Sequence, residues 1–314
     1  MLIQNKLKVA VCFFGHLRSY TQCAPFFNAN FFKYHDCDLF MHTWSTLDHS
    51  TQTWHNLKAT NGEICRDSII NAYTDFKEIK IEKQIPKDFG VINIQRNNSD
   101  SKSQMAIFGI DAVLYSMRES FKLCENYMLK NEVNYDFILF IRPDIWLKTP
   151  LKLLDLLGDV SSENVAKGFF TFGSPIGGVT DLSFSNMRAV DLCFFAKPSV
   201  IKETIENNSL IVDRLTPNMV INYCPEVNLI NLVREKGFKP YRIESYRELI
   251  NWEILRAKSA MKFYKKILKV HIKKDKILLR ILPYMMISII NIRVNLFKSF
   301  TVAISFGHNN DQIN

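Results

Sequence analysis

Two short charged clusters carry the residue types that phosphate or sugar chemistry needs. The first is Gly15-His16-Leu17-Arg18, directly after the apolar run 9–14. Glycine lets backbone approach a ligand closely, while His and Arg supply donors for a phosphate or a sugar hydroxyl. The second is Arg142-Pro143-Asp144, directly after five consecutive apolar residues, Phe137–Ile141. A guanidinium can pair bidentately with phosphate, and a carboxylate can hold a divalent cation through oxygen. The plainer alternative is a solvated ion pair between Arg142 and Asp144 at a strand end. Two weaker candidates follow the same logic. In His42-Thr43-Trp44 the indole could stack on a base or a sugar, although a buried Trp at a strand end is commoner. Asp191, ahead of Leu192-Cys193-Phe194-Phe195, and Glu226, behind Pro225, are carboxylates able to act as a base or a hydrogen-bond acceptor. For Glu226, helix-start electrostatics is a competing explanation.

Other chemistries fare worse on pattern. The chain has no GxGxxG and no Walker motif, and Gly177-Gly178 is a turn signal. Five of the seven histidines lie between positions 16 and 55, but none at HExxH spacing, and no CxxC pair completes a zinc site.

The elements that must position these groups read as alternating strands and helices. The run 137–141 is apolar throughout, as in a strand buried on both faces of a parallel sheet. Pro143 lacks an amide donor and pushes Arg142 towards extended geometry, so the ladder is expected to end there. Arg142 and Asp144 would then stand at the carboxyl end of a central strand, where open α/β sheets bind ligands. Strands are also expected over 9–14, 38–44, 76–82, 169–172 and 192–196. Ile107, Ile110, Leu114, Met117, Phe121, Cys124 and Met128 recur at helical spacing, predicting a helix over 101–131 with a capping box from Ser101 and Gln104. A second helix runs from Pro225 to Lys236, closed by Gly237. This βα alternation predicts a parallel-sheet core.

At 314 residues with 47% hydrophobic and 23% charged content, the chain suits one large α/β domain with an appendage, or two modest domains. Its seven scattered cysteines suit buried thiols in a reducing compartment. The first eight residues show no signal-peptide pattern, which predicts a cytoplasmic protein. The net charge of +9 is concentrated: residues 256–298 hold twelve Lys or Arg against Asp275, leaving 28 basic and 30 acidic residues elsewhere. The body is therefore not a basic nucleic-acid binder. In the tail, Lys258, Lys262, Lys265, Lys269, Lys273, Lys276 and Arg280 would line one helix face opposite a broad apolar one. That arrangement suits an interfacial helix on an anionic membrane surface. The uncharged stretch 281–292 is too short to span a bilayer, which takes about 17–25 residues. The alternative is a helix packed on the domain with its basic face in solvent.

Taken together, Val11-Cys-Phe-Phe-Gly-His-Leu-Arg18, Asp38-Leu-Phe-Met-His-Thr-Trp44, Ser103-Gln104 at the opening of the long helix, and Tyr135-Asp-Phe-Ile-Leu-Phe-Ile-Arg-Pro-Asp144 resemble bacterial GT-A-like glycosyltransferases of surface-polysaccharide (capsule or lipopolysaccharide) synthesis. Asp191-Leu-Cys-Phe-Phe-Ala196, Pro225-Glu226 with Leu229, and Gly237-Phe-Lys-Pro-Tyr241 match the back half, so the resemblance spans roughly residues 7–256. It implies a GT-A-like, Rossmann-like domain over 1–255 and a basic amphipathic helical tail over 256–314. It further implies transfer of a sugar from a nucleotide-sugar donor to a lipid-linked or polysaccharide acceptor at the inner face of the cell membrane. Gly15, His16, Arg18, Trp44, Gln104 and Arg142 would bind the donor, and Asp191 and Glu226 would serve catalysis. In that fold an Asp-x-Asp holds Mn²⁺ or Mg²⁺ against the diphosphate. Here Arg142 stands in place of the first Asp, so either Asp144 holds the metal alone or Arg142 neutralises the diphosphate without one. Two rivals share these features: transfer of a phosphoryl-type group onto a polysaccharide, and a non-catalytic membrane-peripheral scaffold.

Overall fold

The computed structural model describes residues 6–48, 63–73, 75–84, 91–95, 102–106, 108–158, 160–172, 192–206, 225–242 and 252–254. The chain begins with β1 (Lys8–Phe14) and α1 (Tyr20–Phe27), which widens into a π-type turn over Asn28–Phe32. There follow β2 (Asp36–Trp44), α2 (Arg66–Ala72) and β3 (Phe76–Glu82), then an antiparallel pair, β4 (Val91–Gln95) and β5 (Lys102–Ala106). The long helix α3 (Phe108–Asn131) leads into β6 (Phe137–Ile141) and the short β7 (Ile145–Leu147). Next come α4 (Leu153–Leu157), α5 (Ser162–Lys167), β8 (Gly168–Thr171), β9 (Cys193–Ala196) and α6 (Pro198–Ile201). The described chain closes with α7 (Pro225–Glu235), β10 (Lys239–Arg242) and β11 (Trp252–Ile254), which pairs antiparallel with β7.

Seven strands form one sheet in the order β10-β8-β9-β6-β1-β2-β3. β6, β1, β2 and β3 are mutually parallel, β10 is parallel to β8, and β9 runs antiparallel to both its neighbours. This is the α/β class with a mostly parallel sheet that the strand–helix alternation predicts. β6 is buried at every residue and β1 at all but its first, which explains their lack of apolar–polar alternation. On one face, Met117, Phe121 and Cys124 of α3 pack with Cys12, Phe14, Phe40 and Phe140 in a single core. Aromatic ladders tie the right half together: Phe140, Phe194 and Phe169 stack at 4.9 and 4.8 Å, and Phe195, Phe170 and Tyr241 at 5.0 and 5.2 Å. Each trio takes one residue from each of three adjacent strands, so β9 is held by side-chain stacking on both sides.

One sequence expectation is corrected. The long helix starts at Phe108, and Gln104, assigned above to its N-terminal turn, sits in β5 opposite Asn93 of β4. Lys102, Ser103 and Gln104 have no strong preference of their own, and strand pairing decides their conformation. Ser101, Asp191 and the tail, residues 256–314, lie outside the described residues.

The topology sets where a ligand belongs. From β1 the chain builds outwards through β2 to β3, then returns to place β6 on the other flank of β1. The carboxyl ends of β1 and β6 therefore bound the topological switch point, the crevice where open α/β sheets receive ligands.

Candidate active site

Both charged clusters arrive at that switch point. After Phe14, Gly15 takes φ +84°, a left-handed conformation that costs glycine no steric penalty. Arg18 also lies at positive φ, +45°, and its amide donates to the carbonyl of Leu47 at 2.8 Å. After β6, Arg142-Pro143-Asp144 makes a tight turn in which the Ile145 amide donates to the Arg142 carbonyl at 3.2 Å. Pro143 suits the second position of such a turn because its φ is preset.

The turns bring four charges together. Arg18 donates from Nε to Asp48 Oδ1 at 2.8 Å and from Nη1 to Asp144 Oδ2 at 3.1 Å. Arg142 grips the same carboxylate as a fork, from Nε to Oδ1 at 2.9 Å and from Nη2 to Oδ2 at 2.6 Å. The Asp144 side chain is wholly buried, and those of Arg18 and Asp48 are close to it at 6% and 5% exposure. Arg142, at 13%, is the most accessible member. The expected ion pair between Arg142 and Asp144 thus exists, but buried and doubly capped. As these side chains stand, both Asp144 oxygens accept guanidinium N–H groups, so a divalent ion would have to displace the Arg142 fork to reach them. Beneath the cluster, the buried Tyr73 hydroxyl donates to the Pro143 carbonyl at 3.3 Å. Burial, then the nearby Asp144 carboxylate, pushes the Cys23 thiol well up, so Cys23 stays protonated and is no nucleophile.

A second, neutral network continues along the ends of β1, β2 and β3. The Gly15 amide donates to Ser116 Oγ on α3 at 2.7 Å, and Ser116 Oγ lies 2.7 Å from His42 Nδ1. His42 Nε2 lies 3.0 Å from Glu82 Oε2, which also accepts from the Tyr115 hydroxyl at 2.8 Å. A carboxylate only accepts, so Nε2 carries the proton and, in the neutral ring, Ser116 donates to Nδ1. Burial, outweighing the Glu82 contact, pushes the His42 pKa down and keeps the ring neutral. Burial alone would raise Glu82, but hydrogen bonds from Lys80, His42 and Tyr115 win and bring its carboxyl down to about 2. Thr43 Oγ1 completes the hold on Gly15 by donating to its carbonyl at 2.8 Å.

The sequence-predicted residues are distributed accordingly. Gly15, His16, Arg18, Arg142 and Asp144 stand on the adjoining ends of β1 and β6. Trp44 closes β2, buried to 4% exposure and stacked on Tyr115 at 5.7 Å, with the His42 ring edge-on at 5.0 Å. Gln104 lies in β5, away from any helix start, and Glu226 falls in the first turn of α7. Sequence reasoning missed Asp48, Gln84, Glu82 and Ser116. The signal for the first two was positional, since each polar residue lies just past a predicted strand, Asp48 beyond 38–44 and Gln84 beyond 76–82.

No protein-family model and no curated protein sequence matches this chain. Among solved structures it is similar to a 4-diphosphocytidyl-2C-methyl-D-erythritol synthase, with TM-score 0.40 and 9% identity over 84% of this chain and 99% of that one. It is also similar to a glycosyltransferase involved in glycosylation of the major capsid of PBCV-1, with TM-score 0.31 and 12% identity over 76% of this chain and 82% of that one. A third is the bifunctional IspDF from Campylobacter jejuni, with TM-score 0.33 and 9% identity over 77% of this chain and 50% of that one.

Proposed function

We propose that this chain is a glycosyltransferase that moves a sugar from a nucleotide-sugar donor to a lipid-linked or polysaccharide acceptor in surface-glycan synthesis. The observation that supports this reading is the meeting of Gly15–Arg18 with Arg142–Asp144 across the switch point of a mostly parallel sheet. In the reaction the anomeric carbon–phosphate oxygen bond breaks as the acceptor oxygen bonds to that carbon, and the departing diphosphate takes up negative charge. Arg142 is suited to meet that charge. It is the more accessible of two arginines on Asp144, and if it turns outwards Arg18 still pairs the buried carboxylate. Asp191 or Glu226 would take the acceptor proton in an inverting reaction. A divalent cation, where one is used, neutralises the same diphosphate. The basic tail, residues 256–314, would hold the enzyme on an anionic inner-membrane surface near a lipid-linked acceptor.

Melting curves and donor hydrolysis across a panel of nucleotide-sugars, each with and without Mn²⁺, test this reading. At least one donor is expected to raise the melting temperature and to be hydrolysed slowly, because a ligand of the native state stabilises it. Arg142→Ala is expected to lower turnover by a factor on the order of 10². Binding without hydrolysis would favour the scaffold, hydrolysis releasing a sugar phosphate the phosphoryl-type transferase, and no donor binding at all would sink the proposal.

A further inference from the structure

The carboxyl ends of three neighbouring parallel strands converge on one imidazole. His16, just beyond β1, has Nδ1 3.2 Å from the carbonyl of Thr46, which follows β2. Its Nε2 lies 3.1 Å from Oε1 of Gln84, two residues beyond β3. A carbonyl only accepts, so Nδ1 carries a proton, and as the amide stands Nε2 carries one too, which makes the ring an imidazolium donating to Gln84 Oε1. That leaves the other end of the amide. Gln84 is 8% exposed, and its Nε2 has no hydrogen-bond partner. Unmet buried donors are few in native proteins and call for an explanation. Ser120 Oγ, Thr149 Oγ1 and Tyr241 OH share this condition, but they lie on α3, beyond β7 and on β10, not at the ends of β1, β2 and β3. Gln84 lies on the crest itself.

We infer that Gln84 is a substrate-recognition residue whose amide NH₂ donates to an uncharged oxygen of the donor substrate, either a nucleobase carbonyl or a sugar hydroxyl. This rests on the transferase reading above and adds the residue that selects the donor. Charge decides between ligand classes. An amide brings no charge, Arg18 is engaged by Asp48 and Asp144, and Lys80 by Glu82 and Glu119. A phosphate is better met by a charged donor such as a guanidinium, whereas a neutral oxygen satisfies the NH₂ without a counter-charge. Should the amide turn over so that its NH₂ meets a neutral His16 Nε2, its oxygen faces the substrate, and a hydroxyl can serve either orientation by donating or accepting. A base carbonyl suits only the orientation observed.

Full-length wild type, Gln84→Met and Gln84→Ala are compared by titration calorimetry and thermal melting. The probes are UDP, CDP, GDP, ADP and dTDP and the sugar-linked forms of each. Met keeps the volume and removes the hydrogen bond, so Gln84→Met is expected to bind the preferred probe ~10-fold more weakly with an unchanged or higher melting temperature. Loss already seen with the bare nucleoside diphosphate places the contact on the base. Loss confined to the sugar-linked form places it on the sugar. Wild-type affinity in both variants overturns the inference, as does a weakening that tracks a fall in melting temperature, which would make the amide a prop for His16. If the wild type binds none of the probes, the transferase reading fails and this inference falls with it.

Discussion

Two buried polar groups lie side by side at the carboxyl ends of parallel strands, and they reach neutrality by opposite means. At the β6–β1 junction the components are full charges: Arg18, Arg142, Asp48 and Asp144 sum to zero, with Asp144 wholly buried between two guanidinium groups. At the β1–β2–β3 ends Ser116 and a neutral His42 are uncharged, and charge enters at the partly exposed Glu82 and its ion-pair partner Lys80. A buried ion carries a desolvation cost of several kcal/mol, so each charged member depends on its partners. A neutral relay carries no such mutual dependence. Beside it the Gln84 amide nitrogen is buried without a hydrogen-bond partner, which strands a polar group but no net charge. The ionic cluster holds the strand-end turns in place, and the neutral crest is where recognition is less costly to build.

The largest effect that would break this contrast is at Asp144. Asp144→Asn removes the charge on which two arginines converge and is expected to cost about 3–5 kcal/mol in urea unfolding, the usual penalty for stranding a buried charge. A loss below about 1 kcal/mol would mean that solvent already screens the cluster. On the neutral side, Ser116→Ala leaves the Gly15 amide and His42 Nδ1 without their shared partner. The expected loss is about 1–3 kcal/mol, smaller because no net charge is stranded. Equal losses for the two variants would erase the distinction.

The smallest effect is the pH dependence that His42 and Glu82 carry. His42 and Glu82 both have folded pKa values below their usual ones, 6.5 and 4.5. Between the folded and unfolded values of each, the unfolded chain binds more protons, so stability is full at neutral pH and declines on acidification. For His42 the decline begins as pH falls below 6.5, and for Glu82 it runs from about 4.5 to about 2. Glu82→Gln should flatten the lower limb of the stability–pH curve and, because Glu82 holds the His42 pKa up, deepen the upper one. An unchanged lower limb would assign the acid sensitivity to other carboxylates.

Much of the framework was legible in the chain. Runs without alternation at 9–14 and 137–141 suit burial on both faces, and both lie in central strands. The stripe from Ile107 to Met128 reads as one face of a helix, and from Ile110 onwards it lies within Phe108–Asn131. Gly15 and Pro143 mark turns because their backbones permit or enforce them, whatever surrounds them. These features follow from local sterics and from solvent, which act on each segment wherever it ends up.

Tertiary structure decided the rest, because the deciding partner is far away in sequence. Nothing in Cys193–Ala196 tells β9 to run antiparallel. Its place between β6 and β8, with Phe194 and Phe195 stacked on their aromatics, exists only in the folded sheet. The polar segment Lys102–Ala106 becomes a strand because Val91–Gln95 lies beside it. Asp48 and Gln84 look like ordinary loop residues until β2 and β3 deliver them to Arg18 and His16, 30 and 68 positions away. Sequence determines which residues carry charge, turn or burial. Which charge meets which depends on chain crossings that bring strand ends together, and no local preference encodes that meeting.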